Sequence, residues 1–224
     1  SNINDALNDI HKDSRAIDLA NKFWPGPLTL VAKVKNKSIC KSALSEMNTI
    51  AVRVPSNIIF LSVLSKLKIP LAAPSANRYG KISPTSASDV HEELNGKISV
   101  ILDGGNSLIG LESTVIDLTE KKAKLIRHGG INKKELNSVI PLHDNKEKLK
   151  VFISPGLSNS HYKPDTSLRI NALRPRKNEA WLAFGTIPKR FKGIALTLSE
   201  KKCLKESAKN LYKMLRYLDK KKCS

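Results

Sequence analysis

The hydrophobic positions of this chain follow two rhythms, which predict helices alternating with strands. Between Ser14 and Trp24 the apolar residues share one face of a helix, and Pro25-Gly26-Pro27 ends it because proline cannot continue the hydrogen-bond ladder. Residues Leu28–Val34 and Ile50–Val54 alternate with period two, which predicts two strands, with Arg53 on the face opposite the large apolar residues. The same patterns predict helices at Ile58–Leu67, Asp89–Leu94 and Asn132–Ile140, and strands at Ile69–Ala73, Ile98–Leu102, Ser113–Leu118 and Lys124–Arg127.

This order of elements predicts an α/β fold, in which a mixed twisted sheet has flanking helices and a small α/β domain follows it. Strands alternate with helices but also come in consecutive pairs, which favours a mixed sheet over a strictly parallel one. We predict a main domain at 1–140, a linker at 141–166 with few periodic apolar positions, and a small domain at 167–224. The small domain would contain strands Leu168–Leu173, Ala180–Phe184 and Ile194–Leu198 and an amphipathic helix over Leu204–Leu218.

The composition is that of a globular protein, and the cysteines indicate a reducing compartment. Hydrophobic residues make up 40% and charged residues 26%, and no apolar run approaches the ~20 residues that span a bilayer, so we expect no membrane partner. The cysteines, Cys40, Cys203 and Cys223, are odd in number and lack CxxC spacing. This argues against a disulfide scaffold or a zinc site and favours the cytoplasm.

The net charge of +19 is concentrated in the second half of the chain. Residues 131–224 hold 22 Lys/Arg against 8 Asp/Glu, whereas residues 1–130 hold 17 against 12. The excess indicates either attraction to a polyanion such as tRNA or a general lysine coating of exposed faces. Aromatic residues are only 5%, which argues against a platform that stacks single-stranded bases.

The apolar run Leu71-Ala-Ala73 predicts the end of a buried strand, and a loop dense in small polar side chains follows it. We call Pro74–Thr85 the motif loop. Its hydroxyl, amide and basic groups offer several hydrogen-bond donors with little side-chain entropy to lose, which suits a phosphate or a carboxylate. An ordinary surface turn rich in Ser, Pro and Gly is the alternative.

Five short segments lie along the chain at Lys22–Thr29, Ala51–Pro55, Ala72–Asn77 with Ser83–Thr85, Gly110–Asp117 and Arg127–Ile131. In this order and spacing they resemble the YrdC-like domain of threonylcarbamoyl-AMP synthases. The chain between residues 154 and 164 is similar to the linker that joins this domain to a second one in the two-domain branch of the family.

The resemblance implies an L-threonylcarbamoyladenylate synthase, a nucleotidyltransferase. The family makes threonylcarbamoyl-AMP and pyrophosphate from ATP, L-threonine and bicarbonate, and partner machinery then transfers the threonylcarbamoyl group to tRNA. Such a site gathers several anions, so it needs cations and dense donors to offset their repulsion. The resemblance implies ATP as a substrate, with Mg²⁺, and no tightly bound cofactor.

The resemblance also implies residue roles. Arg53 would bind the threonine carboxylate, as a planar bidentate donor can, while Ala73 and Ser113 would line the threonine pocket. Asn77 would support the motif loop. The ATP contacts would be Thr49, Ser75, Ser83, Arg127 and, in a linker folded over the site, Tyr162. Each has a structural alternative, namely a surface strand residue, a turn or cap residue, a solvated charge or, for Tyr162, an aromatic that fixes a loop.

The acidic residues give no catalytic assignment. No carboxylate pair suggests general acid–base catalysis, so we assign no catalytic residue. Glu112 and Asp117 could bind magnesium together with phosphates, but a single acid at a strand end is more often structural, and we predict no protein metal site.

One family segment has no match in this chain. The N-terminal Lys-x-Arg segment, which meets the triphosphate and bicarbonate in the family, finds no counterpart before Phe23. By the resemblance, we also expect the second domain to lack its last elements. The resemblance thus implies an internal portion of a synthase. Three hypotheses follow: a synthase, with the absent segment supplied by another chain if required; a non-catalytic module that binds nucleotide or structured RNA; and an inactive remnant.

Overall fold

Six α-helices and six strands form in the residues that the computed structural model describes, which are 2–11, 13–44, 48–143 and 162–221. By compactness the chain divides into a first unit, Ser1–Ala73 with Glu112–Ser158, and a second unit, Pro74–Leu111 with Asn159–Ser224. The helices are α1 Ile3–Asn8, α2 Ser14–Phe23, α3 Ile58–Leu67, α4 Ala87–Leu94, α5 Lys133–Asn137 and α6 Leu204–Lys220. The strands are β1 Leu28–Lys33, β2 Thr49–Val52, β3 Thr114–Asp117, β4 Lys124–Arg127, β5 Trp181–Ala183 and β6 Ala195–Thr197.

The first unit contains a four-stranded sheet in the order β2-β1-β3-β4. The β1–β3 pair is parallel, whereas β1–β2 and β3–β4 are antiparallel. The predicted mixed sheet and α/β class are therefore confirmed. Strand β3 is buried along its whole length, as expected for a strand with a neighbour on each side.

The core of the first unit lies between one face of this sheet and the helices α1, α2 and α5. Leu19 and Leu136 of the helices are fully buried in one cluster with Leu28, Leu30 and Ile116 of the strands. The helix starts are fixed locally. The Asp13 side chain accepts from Ala16 N at α2, and α5 begins with a capping box between Asn132 and Glu135.

The second unit has a small and polar interior. It pairs β5 with β6 in parallel and contains α4 and α6. Among its described residues, only three apolar side chains are buried, whereas five polar side chains are buried. The apolar residues are Ile82, Ala183 and Leu218, and the polar ones are Ser83, Thr85, Ser199, Ser207 and Arg216. Hydrogen bonds and ion pairs must therefore carry much of its organisation.

Three predicted strands are wrong: Ile69–Ala73, Ile98–Leu102 and Leu168–Leu173 have no strand assignment. Their apolar side chains stay exposed, with Val100 at 74% and Leu173 at 91%. A strand needs a neighbour that takes its N–H and C=O groups, and no described strand pairs with these segments. Leu71–Ala73 therefore does not end a buried strand.

The predicted linker and domain boundaries are not tested by the described residues. Residues 144–161, which make up most of the predicted linker, lie outside the described residues, and the division at 140 and 166 stays a prediction.

Among the described residues, no helix is long and apolar enough to cross a membrane.

Candidate functional site

One end of the sheet in the first unit collects a polar residue from each of its four strands. Because β1 and β3 are parallel, Thr29 near the start of β1 lies beside Ser113, which immediately precedes β3. The antiparallel partners β2 and β4 end at this same edge, so Arg53 and Arg127 arrive there from the opposite direction. We call Thr29, Arg53, Ser113 and Arg127 the sheet-end cluster.

Ser113 is the centre of the hydrogen bonds in this cluster. Its hydroxyl lies 2.7 Å from Thr29 Oγ1, and it accepts from Arg127 Nη2 at 2.9 Å. Arg127 Nε also donates to the Ser113 carbonyl at 3.0 Å. Ser113 is buried at 5% exposure, so both its backbone and its side chain are held in a fixed orientation.

Arg53 is held by one end only. Its Nε donates to the Gly26 carbonyl at 2.8 Å, within the Pro-Gly-Pro turn that follows α2. Neither terminal nitrogen hydrogen-bonds to another described residue, and the residue is exposed. The guanidinium therefore presents a fork of donors at the sheet end, which suits a carboxylate or phosphate.

The cluster contains two guanidinium groups, and the Glu112 carboxylate acts on both. Glu112 Oε2 lies 3.8 Å from Arg127 Nη2, and its charge also affects Arg53. Burial lowers the pKa of Arg53; the nearby Glu112 raises it, and the like charge of Arg127 lowers it further. An incoming anion would relieve the repulsion between the two arginines. The cluster can bind and orient an anion, but it offers Ser113 no base that would make it a nucleophile.

Gly129 lets the backbone close tightly around this cluster. A Cβ at that position would lie 2.4 Å from Glu112 O and from Thr114 N. The segment after β4 therefore packs directly on the turn that carries Ser113. Any side chain at 129 would displace it.

Two other residues predicted for the first unit do not join the cluster. Thr49 is buried and begins β2 opposite Lys33, four residues or roughly 13 Å along the strand direction from Arg53. Ala73 is exposed at the end of the segment that forms no strand. Their roles toward ATP and threonine stay predictions.

The second unit carries the motif loop, and there Asn77 has a supporting role. Its Nδ2 donates to the carbonyls of Arg78 at 2.8 Å and Lys81 at 3.1 Å, which closes the loop on itself. Its Oδ1 is buried and accepts from no described residue. Ser75 is exposed, whereas Ser83 is buried at 6% exposure. The loop thus presents the exposed hydroxyls of Ser75 and Tyr79, and it retains an acceptor, Asn77 Oδ1, without a donor among the described residues.

Tyr162 lies beside this loop, within the same unit. Its ring stacks on Tyr212 of α6 with the centroids 5.6 Å apart. The next residue, Lys163, donates its backbone N–H to the Gly80 carbonyl at 2.9 Å. Tyr162 is therefore held against α6, while Lys163 joins the start of 162–221 to the motif loop. The contact of Tyr162 with ATP stays a prediction.

The acidic residues do not gather into a metal site. No group of three or more His, Cys, Asp or Glu that could hold a metal occurs in the described part of the chain. Asp117 accepts from Thr119 N at 2.8 Å, which is a structural turn, and Glu112 is beside Arg127. These residues cannot enclose a metal alone, but Glu112 could contribute one oxygen to an ion that arrives with phosphates.

The sequence reasoning missed Thr29, although it lies within a segment quoted for the resemblance. Threonine at the second position of a strand has no distinctive pattern. Only the parallel pairing of β1 with β3 reveals that its hydroxyl meets Ser113. A threonine at the start of a strand that follows a Pro-Gly-Pro turn is the sole available signal.

Two family models match nearly the whole chain. A model described as telomere recombination, of the Sua5, YciO and YrdC proteins, matches residues 1–129. A model for the threonylcarbamoyl-AMP synthase C-terminal domain matches residues 131–224.

Two curated relatives that share one name align with different lengths of this chain. A threonylcarbamoyl-AMP synthase of Bacillus subtilis is 39% identical over 160 residues, which is 70% of this chain and 46% of that protein. The synthase of Pyrococcus abyssi is 36% identical over 218 residues, which is 90% of this chain and 64% of that protein. The chain spans less than two thirds of the length of either relative.

Solved structures share the fold. The structure of P. abyssi Sua5 complexed with L-threonine aligns with a TM-score of 0.80 at 31% identity, over 96% of this chain and 69% of that one. The structure of Escherichia coli YciO aligns with a TM-score of 0.54 at 26% identity, over 61% of this chain and 66% of that one.

Proposed function

The chain belongs to the Sua5, YciO and YrdC family, and from that membership we propose that it acts as an L-threonylcarbamoyladenylate synthase. The reaction would join ATP, L-threonine and bicarbonate into threonylcarbamoyl-AMP and release pyrophosphate. The product would serve threonylcarbamoyl-adenosine modification of tRNA in the cytoplasm. Exposed thiols at Cys40 and Cys203 are compatible with that compartment.

The sheet-end cluster is the observation that carries this proposal. Two guanidinium groups share one carboxylate around the buried Ser113 hydroxyl, which is an arrangement suited to an amino-acid carboxylate. Arg53 would grip the threonine carboxylate with its terminal nitrogens, and Ser113 would accept or donate a hydrogen bond at the amino acid. Ala73 would line the same pocket by its backbone.

The ATP contacts are assigned to a second set of residues. Arg127 would neutralise a phosphate, while Thr49, Ser75, Ser83 and Tyr162 would bind phosphate or ribose oxygens or the base. Asn77 would orient the motif loop, as its two donated hydrogen bonds support. Magnesium would arrive bound to the ATP phosphates, where it neutralises their charge, and Glu112 is the carboxylate next to Arg127.

The proposal is tested with the 224-residue chain by calorimetric titration with L-threonine and ATP, followed by a pyrophosphate-release assay with all three substrates. We expect saturable binding of both ligands, weakened by Arg53→Lys for threonine. We also expect pyrophosphate release that requires threonine and bicarbonate.

The outcomes separate the candidate functions. A folded chain that binds neither ligand would overturn the proposal. ATP binding without pyrophosphate release would favour a nucleotide-binding module over an enzyme. A chain without a cooperative unfolding transition would favour an inactive remnant.

RNA contact is a second candidate function, and the lysines of α6 favour it. Lys205, Lys209 and Lys213 are exposed at intervals of four residues, so they follow one side of the helix. None forms an ion pair with another described residue. Their spacing of about 6 Å is suited to successive backbone phosphates of tRNA or double-stranded RNA.

A further inference from the structure

Arg216, near the end of α6, is a buried charge in the polar interior of the second unit. The residue is only 8% exposed, and its guanidinium reaches three residues of the 74–111 segment. Nη1 donates to the Ile82 carbonyl at 2.7 Å and to Glu93 Oε1. Nη2 donates to the Asp89 carbonyl at 3.3 Å, and Nε lies 3.3 Å from Asp89 Oδ1.

The two acids that face Arg216 hold the motif loop in turn. Asp89 Oδ2 accepts from Thr85 N at 2.9 Å and from Thr85 Oγ1 at 3.1 Å. Glu93 Oε2 accepts from Arg78 N at 3.0 Å. The loop is therefore fixed at Arg78, Ile82 and Thr85, which flank Asn77 and Ser83.

Arginine suits this position because one planar fork contacts two backbone carbonyls and two carboxylates at once. A lysine ammonium is a point charge that cannot keep all of these contacts. The surrounding interior offers few apolar contacts that could hold the loop instead, since Ile82 is the one buried apolar residue within the motif loop. The position of the loop thus depends on this guanidinium.

We propose that Arg216 is a positioning residue for nucleotide binding, which clamps the motif loop through Ile82, Asp89 and Glu93 so that Ser75, Asn77 and Ser83 meet ATP in a fixed arrangement. Preorganisation lowers the entropy lost when a loop binds its ligand. The ATP part of this inference rests on the proposed function. A residue of the segment matched by the C-terminal family model would set the geometry of a loop matched by the N-terminal one.

The test compares Arg216→Gln and Arg216→Lys with Lys201→Gln in the 224-residue chain. Lys201 is exposed in the same unit and loses the same charge, so it is a matched control. Hydrogen–deuterium exchange reports on the amides of Arg78 and Thr85, and calorimetry gives the ATP and L-threonine affinities.

For Arg216→Gln we expect the two amides to exchange at least tenfold faster and ATP affinity to fall at least tenfold. L-Threonine affinity should stay within twofold, because Arg53 and Ser113 belong to the first unit. Arg216→Lys should give intermediate values, and Lys201→Gln should match the wild type. General unfolding would abolish threonine binding as well, which separates positioning from loss of structure.

If Arg216→Gln does not fold, the charge-neutral variant R216M/D89N/E93Q removes the clamp without leaving a buried unpaired carboxylate. Unchanged amide exchange in the substituted protein would overturn the clamp. Faster exchange with unchanged ATP affinity would overturn its role in nucleotide binding. If the wild type itself binds no ATP, the proposed function fails, and the exchange measurement alone decides whether the clamp exists.

Discussion

Arg53 and Arg127 carry the same charge at the sheet end, but they are held in different ways. Arg127 makes two hydrogen bonds to Ser113, so it supports the site as well as charging it. Arg53 donates from Nε to the Gly26 carbonyl, and its terminal nitrogens hydrogen-bond to no other described residue. Substitution of Arg53 should therefore affect binding more than folding.

Arg53→Lys should weaken L-threonine binding by about 10- to 100-fold, because a bidentate charge-assisted contact contributes roughly 1.5–3 kcal/mol. Its melting temperature should change little. Arg15→Lys is the matched control, since Arg15 donates to the Leu118 and Lys121 carbonyls beyond the other end of β3. Calorimetry and thermal unfolding measure the two effects, and equal threonine affinity in both variants would contradict the role of Arg53.

Gly129→Ala should lower both the stability of the protein and its threonine affinity. The new Cβ would lie 2.4 Å from Glu112 O, so the turn that carries Ser113 must move, at a cost of about 1–3 kcal/mol. Gly96→Ala is the control, because its φ of +75° is unfavourable for alanine but nothing lies within 4 Å. Denaturant unfolding and threonine titration should show both variants destabilised, and binding lost only at 129.

At the scale of elements, α4 depends on ionised Asp89. Burial alone would raise the pKa of this carboxyl. The Thr85 N–H, the Arg216 guanidinium and the hydroxyls of Thr85 and Ser86 outweigh that effect, so the pKa lies below its ordinary value of 3.8. A group whose pKa is lower in the folded state stabilises the fold above its unfolded pKa and ceases to do so as pH falls through the folded value.

The unfolding free energy of the wild type should therefore fall more steeply between pH 5 and pH 3 than that of Asp89→Asn, which has no carboxylate to protonate. Denaturant titrations at several pH values measure the two slopes. Asp18→Asn is a suitable control because Asp18 is exposed on α2, in the other unit. Parallel curves for wild type and Asp89→Asn would contradict the role of Asp89.

The elements show how far a sequence pattern reaches. Strand β4 has its predicted bounds because β3 pairs with it, and α6 begins at the predicted Leu204 because a helix forms its backbone hydrogen bonds within its own segment. Ile69–Ala73 has the composition of a strand, yet it forms none because a ladder requires a neighbour. The composition of a segment shows whether it could form a strand, but it does not show whether a neighbouring strand is present to pair with it.

The site shows the same limit at the residue level. Arg53, Ser113 and Arg127 could be named from their motifs, but their meeting at one sheet end follows from the direction in which each strand runs. Thr29 and Arg216 lie in ordinary strand and helix patterns, and their importance comes from partners 84 and 134 residues away in the sequence. Short-range patterns carry no information about such distances.

At the scale of the whole molecule, the net charge of +19 predicts an association with nucleic acid that depends on salt. Replacing Lys205, Lys209 and Lys213 with Gln should reduce the slope of log K for tRNA against log salt by about 2–3, since each phosphate contact contributes roughly 0.7–0.9. Filter binding between 50 and 200 mM salt measures it. A matched triple variant at Lys35, Lys37 and Lys41, all exposed in the first unit, should change the slope less.

Binding of tRNA that is independent of salt would contradict the electrostatic role. An equal loss of slope in both triple variants would instead indicate a diffuse lysine coating, which was the alternative interpretation of the composition.

The contact between Arg216 and Ile82 also has a consequence for biosynthesis. A ribosome adds about 5–20 residues per second, so the nascent motif loop would wait on the order of 10 s before its guanidinium anchor is even translated. A premature stop codon shortly before position 216 would leave every predicted ligand contact encoded and yet yield a product whose loop has lost its anchor.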